Sequence, residues 1–279
     1  MKERRTIGDI FWRLMLFLWA LGIILPMIWV LYESLKTNRE FYKDIWALPE
    51  QTQWNNYAKA WNYLGLGKGM LNTVYYVGCS LFFGISFTAL CAYALTRLQW
   101  KGKRLAWNLL MLSLLLPGIN AIVPQYVIAR SLHLTGKLSG LIFLNSAVLD
   151  IFSLMVVSGF MQTIPTELEE SAFMDGASLF QVFRLIIVPL SMPGIVTISI
   201  FRFLALYNDF LGPYIYLSDK PEKYTIGVSM FMANQQMIYK SDWVSLFAGV
   251  IIAMIPTIII YLIFQKTVTQ GATLGAIKG

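Results

Sequence analysis

Long apolar stretches constrain this chain more than any other feature of its sequence. A helix needs about 20 mostly apolar residues to cross the hydrocarbon core of a bilayer. Charged residues make up 13% of the chain, against about 25% in a typical soluble domain. Six stretches of sufficient length predict transmembrane helices over residues 12–34, 69–96, 105–129, 138–163, 185–208 and 243–265. We therefore predict an all-α polytopic membrane protein with six transmembrane helices.

The distribution of basic residues predicts the orientation of these spans. An even number of spans puts both termini on one side. The compact basic runs "KERR" (residues 2–5) and "RLQWKGKR" (97–104) flank spans directly, whereas the basic residues of the other side are diluted through long loops. Because compact basic runs next to spans favour the cytoplasm, we predict cytoplasmic N- and C-termini and extracytoplasmic loops 36–68 and 209–242. The net charge of +7 then reflects membrane flanks and predicts no nucleic-acid partner.

Motifs of catalysis and nucleotide binding are missing from the sequence. It contains no P-loop, no H-E-x-x-H, no G-x-S-x-G and no C-x-x-C,. The single histidine, His133, lies in a short polar hairpin, and Cys79 and Cys91 are too far apart on one helix for a disulfide,. We expect no catalytic residue, no metal site and no cofactor bound by this chain.

One short segment between two apolar stretches, "IPTELEESAFMDGAS" (164–178), is rich in carboxylates. More than a quarter of the chain's 15 acidic residues lie here, namely Glu167, Glu169, Glu170 and Asp175. Thr166 with Glu169, and Ser178 with Gln181, fit the capping box that opens a helix. Gly176 lies where a left-handed residue ends a helix. The pattern predicts a short helix, a glycine turn and a second helix.

The first of these helices can be interpreted in two ways from its residues. Leu168, Ser171 or Ala172, and Asp175 share one face, and small side chains there would let a partner approach closely. Alternatively, the segment is a solvated connector whose acidic residues only cap a helix. The residues alone leave both interpretations open.

The residues "EESAFMDGASLFQVFRLIIVPLSMPGI" resemble the E-A-A…D-G-A…P signature of ABC-importer permeases, with Ser171 in place of the usual alanine. In that family this segment, here 166–177, is the coupling helix that docks on the ATP-binding subunit. The resemblance implies an ATPase-coupling role for Glu169, Glu170, Ser171, Ala172, Met174, Asp175, Gly176 and Ala177.

Three further stretches extend the resemblance along the chain. "AYALTRLQWKGK" from Ala92 is similar to the segment that closes the second span of these permeases. "YNDFLGPYIYLSD" from Tyr207 is similar to a stretch of the sugar-importing branch, with Tyr207 and Gly212 where tryptophans are usual. The end of the chain, "GATLGAIKG", resembles the tail of the maltose-type small permease. That tail reaches the ATPase, which implies ATPase-contacting residues Gly275, Ala276, Ile277, Lys278 and Gly279.

The resemblance implies a type I ABC-importer permease fold and a single permease domain over residues 1–279. Such a chain forms half of the pathway for a sugar or oligosaccharide in a bacterial cell membrane. Its partners would be a second homologous permease, two ATP-binding subunits that use ATP and Mg²⁺, the lipid bilayer, and an extracytoplasmic solute-binding protein that contacts loop 209–242. A permease for a non-sugar solute and a stand-alone secondary transporter are the alternatives.

Two charges, Asp150 and Arg202, fall inside predicted spans, where a charge is costly unless it is paired or faces water. They could pair with each other or line the transport cavity together with Asn145. Tyr207 and Asn208, at the end of the fifth predicted span, complete the candidate translocation path.

Overall fold

The structure, a computed structural model, describes residues 7–115 and 122–276. No strand occurs within these two ranges, which confirms the all-α prediction for them. The α-helices, in chain order, are α1 (Ile7–Glu33), α2 (Asn38–Lys43), α3 (Asn55–Asn62), α4 (Leu66–Thr96), α5 (Lys103–Ser113), α6 (Ile122–Ser131), α7 (Leu138–Ala147), α8 (Ile151–Gln162), α9 (Thr166–Met174), α10 (Leu179–Val182), α11 (Val188–Leu190), α12 (Met192–Asn208), α13 (Leu211–Leu217), α14 (Ile226–Lys240) and α15 (Trp243–Ala276). A π-helical turn, Phe183–Ile187, joins α10 to α11, and a 3₁₀ turn covers Pro221–Lys223.

Three of the predicted spans are single helices long and apolar enough to cross a bilayer. These segments are Phe11–Glu33 in α1, Leu66–Thr96, and Trp243–Gln265 in α15. The last helix continues beyond the predicted span, to Ala276. The chain is therefore a membrane protein with several spans.

Two other predicted spans are bent pairs of helices. The pair α7 and α8 bends by 51°, and Leu179–Leu190 bends by 74° against α12. Counting each pair as one span gives up to five among the described residues. The remaining predicted span, 105–129, contains α5 and α6, but residues 116–121 between them lie outside the described part of the chain. The count of six spans stays a prediction.

Proline explains the sharper bend. Pro189 and Pro193 flank Ser191, where Leu179–Leu190 ends and α12 begins. Each proline removes a backbone donor and pushes against the carbonyl four residues earlier. The π-helical turn ends at Ile187, two residues before Pro189, and widens the helix there,. Pro26 and Pro256, by contrast, lie inside the continuous helices α1 and α15, so one proline alone does not end a helix here.

Contacts divide the chain into two compact units, and the first consists of the described parts of Met1–Gly67 and Ser229–Ile255. Loop 36–68 contains the short helices α2 and α3. Lys36 donates to a Glu33 carboxylate oxygen at 2.6 Å, and both side chains are fully buried. The Asn56 side chain donates to the carbonyls of Ser34 and Lys36 at 2.8 Å each. A buried ion pair and a buried amide thus fix the turn after α1.

The second unit consists of the described parts of Lys68–Val228 and Pro256–Gly279. Its larger apolar cluster includes Tyr93 of α4, Leu154 and Met161 of α8, and Phe183 of the π-helical turn. A second cluster joins residues of α4, α7, α12 and α13. The first cluster supports α9, and the second lies beside the polar residues of the candidate path.

Candidate functional site

The acidic segment folds as a helix, a glycine turn and a second helix. Its first helix, α9, begins at Thr166 rather than after it, with Pro165 as the preceding residue and no side-chain cap. The predicted capping box of Thr166 with Glu169 is therefore wrong. Pro165 can precede a helix because it needs no hydrogen-bond acceptor for its nitrogen, and the Glu169 carboxylate turns inward instead.

The turn after α9 matches its prediction. Gly176 has φ +84°, a left-handed conformation that glycine adopts without steric cost. Its N–H donates to the Phe173 carbonyl at 3.0 Å, and the N–H of Ala177 donates to the Ala172 carbonyl at 2.9 Å. These two bonds form a Schellman motif, which satisfies carbonyls that would otherwise lack donors at the helix end.

The second capping box is confirmed. The N–H of Ser178 donates to the Gln181 side-chain oxygen at 2.7 Å, and the N–H of Gln181 donates back to the Ser178 hydroxyl at 3.4 Å. The helix that follows continues through the π-helical turn to Leu190. Both ends of the glycine turn are thus held by local hydrogen bonds.

One side chain of α9 is buried, and it is Glu169, at 7% exposure. Its Oε1 lies 3.2 Å from Nε of Arg97, just after the end of α4. The Tyr93 hydroxyl donates to the other carboxylate oxygen at 3.4 Å. Arg97 also donates through Nη2 to the carbonyls of Met161 and Ile164, at the end of α8 and just beyond it. Sequence reasoning missed this cluster, because no periodicity connects Arg97 with the acidic segment.

The other carboxylates of α9 and its turn face outward. Glu170, Ser171, Asp175 and Gly176 are exposed, and Met174 is exposed at 88%. Ala172 and Ala177 are partly buried against the larger apolar cluster. The outer surface combines these carboxylates with exposed apolar side chains, namely Leu168, Phe173, Met174, Leu179 and Phe180. It is a surface with both charged and apolar groups available to a partner.

Arg202, inside a predicted span, is buried against α4 and α7. Its Nη2 donates to the backbone carbonyl of Asn145, in the last turn of α7. The guanidinium also lies over Gly84 of α4, where a built Cβ would come within 2.5 Å of Nη2. A cation at the C-terminal end of a helix satisfies carbonyls and complements the helix dipole. Arg202 thus binds the C-terminal end of α7 and also contacts α4.

Asp150 has its own partner and forms no ion pair with Arg202 within 4.0 Å. Its carboxylate accepts the N–H of Ser153 at 3.1 Å and also the Ser153 hydroxyl. Asp150 is therefore the N-cap of α8, and it is exposed. The predicted direct pairing is not present. The two charges instead stabilise the facing ends of a broken span.

The remaining candidate path residues separate in the structure. Tyr207 is buried and stacks on Phe203, with ring centroids 5.5 Å apart. Asn208 is exposed and its side chain donates to the Leu204 carbonyl at 2.8 Å. Asn145 is partly buried and lines a cavity of about 330 Å³ between α6, α7 and α13. Only Asn145 of the five predicted path residues lines this cavity.

The cavity brings together polar groups that sequence reasoning did not connect. Gln125, Asp209 and Tyr216 line it with Asn145, among apolar residues of the three helices. The Asp209 carboxylate accepts the N–H of Gly212 at 3.1 Å. Burial raises the pKa of Asp209, although backbone N–H donors of Gly212 and Leu211 act in the opposite direction. The cavity therefore combines amide, carboxyl and phenol groups on an apolar wall, with a volume at the lower end of the range for ligand pockets.

Metal ligation is not indicated by the side chains. Within residues 7–115 and 122–276, no group of three or more His, Cys, Asp and Glu is placed to hold a metal ion.

Long apolar helices, two broken spans and an exposed helix–turn–helix between them define the chain as a multi-span membrane protein. Residues 84–273 match the family described as "Binding-protein-dependent transport system inner membrane component". The chain belongs to this family, and the match includes the acidic segment, both bent helix pairs and the cavity.

Individual relatives are similar over almost the whole chain. The diacetylchitobiose uptake system permease protein NgcG of Streptomyces coelicolor is 30% identical over 264 residues, 95% of this chain and 87% of the relative. The trehalose transport system permease protein SugB of Mycobacterium tuberculosis is 32% identical over 258 residues, 92% of this chain and 93% of the relative.

A solved structure shares the fold. One chain of a bacterial ABC transporter involved in the import of the acidic polysaccharide alginate superposes with a TM-score of 0.82 at 20% identity. The superposition covers 95% of this chain and 99% of that chain. The chain therefore has the same overall fold as that chain.

Proposed function

We propose that this chain is one permease subunit of an ABC importer and forms half of the translocation pathway for a sugar or oligosaccharide. The observation that carries this proposal is similarity along nearly the whole chain to permeases named for diacetylchitobiose and trehalose transport. The other half is a second, homologous permease, and an extracytoplasmic solute-binding protein delivers the sugar. Transport proceeds by alternating access, in which two global states differ in their contacts with the partners.

The exposed surface of α9 is the proposed contact with the ATP-binding subunits. Glu170 and Asp175 can accept charge-assisted hydrogen bonds from basic groups, while Met174 offers an adaptable apolar contact. ATP and Mg²⁺ are bound by those subunits, so this chain is a non-catalytic part of the transporter. The tail Gly275–Gly279 is a second proposed contact with the ATPase, and its residues 277–279 lie outside the described part of the chain.

Both termini and α9 are assigned to the cytoplasmic side of a bacterial cell membrane, with six spans and with segments 36–68 and 209–242 outside. The compact basic runs beside the spans support this orientation,. Single added cysteines at Met174→Cys and Asp219→Cys test it with a membrane-impermeant maleimide. We expect label at Asp219→Cys from the outside only and at Met174→Cys from the inside only; the reverse pattern contradicts the assignment.

The cavity beside α7 is the proposed contribution of this chain to the sugar path. Amide and carboxyl groups can bind sugar hydroxyls, and the apolar wall suits the carbon faces of a sugar ring. Asn145→Ala should raise the KM for transport by about two- to tenfold, since it removes a single hydrogen-bonding side chain. Asn208→Ala is the matched control, because Asn208, like Asn145, donates to a carbonyl of its own helix but does not line the cavity. If the two substitutions change the KM equally, the cavity is not part of the sugar path.

Copurification and uptake test the function as a whole. The chain, coexpressed with a candidate partner permease and ATPase, should copurify with a P-loop ATPase and take up a sugar in proteoliposomes that contain the binding protein. Glu170→Lys should abolish copurification of the ATPase. Asp219→Lys makes the same change of charge in an exposed segment that is assigned to the extracytoplasmic side, and it should leave copurification of the ATPase unchanged. Sugar uptake by Glu170→Lys at the wild-type rate would contradict the assigned docking surface.

A further inference from the structure

Arg97 connects three helices through one guanidinium group. It directly follows the last residue of α4 and donates to the carbonyls of Met161 and Ile164, which lie at the end of α8 and just beyond it. The same group contacts the Glu169 carboxylate of α9, with Nε 3.2 Å from Oε1. The side chains of Arg97 and Glu169 are only 9% and 10% exposed. The end of one span, the end of another and α9 therefore meet at a single buried ion pair.

Little else holds α9 against the spans. Glu169 is its only buried residue, whereas Leu168, Phe173 and Met174 are exposed. On the inner side, Ala172 contacts the apolar cluster with a single methyl group. Because alanine buries little apolar area and Leu168 and Phe173 are only partly covered, the contacts of Glu169 are, among the described residues, the only buried attachment of this helix beyond its chain connections.

Those chain connections leave the orientation of α9 open. Pro165 lies before the helix, and the left-handed Gly176 lies after it. Local hydrogen bonds hold the shape of the glycine turn, but small changes of φ and ψ at these two positions would still reorient the short helix relative to the elements beside it. The Arg97 contact and the Tyr93 hydroxyl bond, at 3.4 Å, fix Glu169 from two directions and so remove that freedom.

Apolar residues of similar volume in place of a buried ion pair would stabilise the fold as well as the pair does. What the pair adds is a defined geometry, because the planar guanidinium can bind two carbonyls and lie beside a carboxylate only in one arrangement. In the described part of the chain, Nε and Oε1 lie 3.2 Å apart as an ion pair, and neither atom makes a hydrogen bond. Separation of α9 from α4 would therefore leave both buried atoms without this ionic partner.

We propose that Arg97 and Glu169 are positioning residues that make α9 move together with the ends of α4 and α8. The inference rests on the proposed function, in which α9 follows the ATP-binding subunit. Glu170, the next residue, faces outward and receives the partner; Glu169 faces inward and passes the displacement to two spans. Without the pair, α9 still docks, but its rotation is absorbed at Pro165 and Gly176, and ATP is hydrolysed without transport.

The test measures ATP hydrolysed per sugar transported by the complete transporter in proteoliposomes. Glu169→Gln keeps the size of the side chain but removes its charge. We expect full copurification of the ATPase and a ratio at least about fivefold above wild type, the lower end of typical coupling effects. Glu167→Gln is the matched control, because it removes an exposed carboxylate from the first turn of the same helix, and its ratio should equal that of wild type.

Two milder substitutions keep the inference testable if Glu169→Gln does not assemble. Tyr93→Phe removes only the hydroxyl bond and retains the ring contact with Phe183, so its ratio should rise by a smaller factor. Arg97→Lys keeps the charge but loses the planar fork, and its ratio should also rise. Wild-type ratios in every variant that assembles would overturn the inference.

The outcomes also separate this inference from the proposed function. If the wild-type complex transports sugar and Glu169→Gln keeps the wild-type ratio, the link is wrong and the proposed function stands. If the wild-type chain neither copurifies with an ATPase nor transports a sugar, both are wrong.

Discussion

Replacing Gly84 by alanine tests the contact between α4 and the Arg202 side chain. A Cβ at this position would lie 2.5 Å from Nη2 and 2.6 Å from Cζ of Arg202. Non-bonded heavy atoms favour separations of about 3.5–4.0 Å, so the guanidinium would have to move by roughly 1 Å. That movement breaks the hydrogen bond from Nη2 to the Asn145 carbonyl.

The cost follows from two opposing contributions to the free energy of unfolding. A hydrogen bond from a charged donor contributes about 1.5–3 kcal/mol. A change from glycine to alanine inside a helix stabilises by about 1 kcal/mol, which leaves a net loss of about 0.5–2 kcal/mol. For a chain of roughly this size that loss corresponds to a Tm lower by about 1–8 °C.

Thermal unfolding of the purified chain in nanodiscs, followed by tryptophan fluorescence, measures this loss. The matched control is Gly78→Ala on the same helix, because no atom lies within 4 Å of a Cβ built there. We expect the control to keep or raise the Tm, while Gly84→Ala lowers it. Equal Tm values for the two variants would refute the position of Arg202 over Gly84 and, with it, the account of how α7 ends.

Three further substitutions probe the glycine turn, the cavity and the buried ion pair after α1. Gly176→Ala places a side chain at φ +84° and should destabilise the protein by about 1–2 kcal/mol,. The control Gly159→Ala should not destabilise it, because no atom lies within 4 Å of a Cβ built at Gly159. Equal Tm values for the two variants would contradict the left-handed turn. Burial raises the pKa of Asp209, so the unfolded chain ionises first and stability falls as pH rises through the folded pKa. Asp209→Asn should therefore have a flatter Tm profile as pH rises above about 4, and parallel profiles of the two proteins contradict this. Lys36→Met leaves Glu33 buried without its partner and should lower the free energy of unfolding by about 3–5 kcal/mol,. The double substitution Glu33→Leu/Lys36→Met should recover most of this loss in thermal unfolding. An unchanged Tm for Lys36→Met alone would contradict the buried pair.

Hydropathy predicted where apolar helices lie but not where they break. A window average responds to composition, so Leu138–Ala147 and Ile151–Gln162 merged into one predicted span. Asp150 was interpreted as a charge within that span, although aspartate three residues before Ser153 also fits an N-cap. A search for capping residues inside apolar stretches would have found this break from the sequence.

The candidate site was predictable where its structure is local and was missed where it is not. Gly176 and the pair Ser178 and Gln181 depend on neighbouring residues, and all three have the predicted geometry. Glu169 was assigned to a cap because Thr166 stands at the right spacing, but a distant arginine competes for its carboxylate. A single sequence carries no signal for such a contact, because Arg97 and Glu169 lie on separate elements.

The break between α7 and α8 has a consequence for how long the chain survives in a cell. Residues 148–150 interrupt the helical hydrogen bonds within an apolar span, and Val148 and Asp150 are exposed there. Lipid cannot hydrate the polar backbone of such a break, so this side must face water or another protein chain. A copy made without its partners would present the break to the bilayer, and we expect membrane proteases to remove it faster than the assembled subunit, which a pulse-chase comparison would measure.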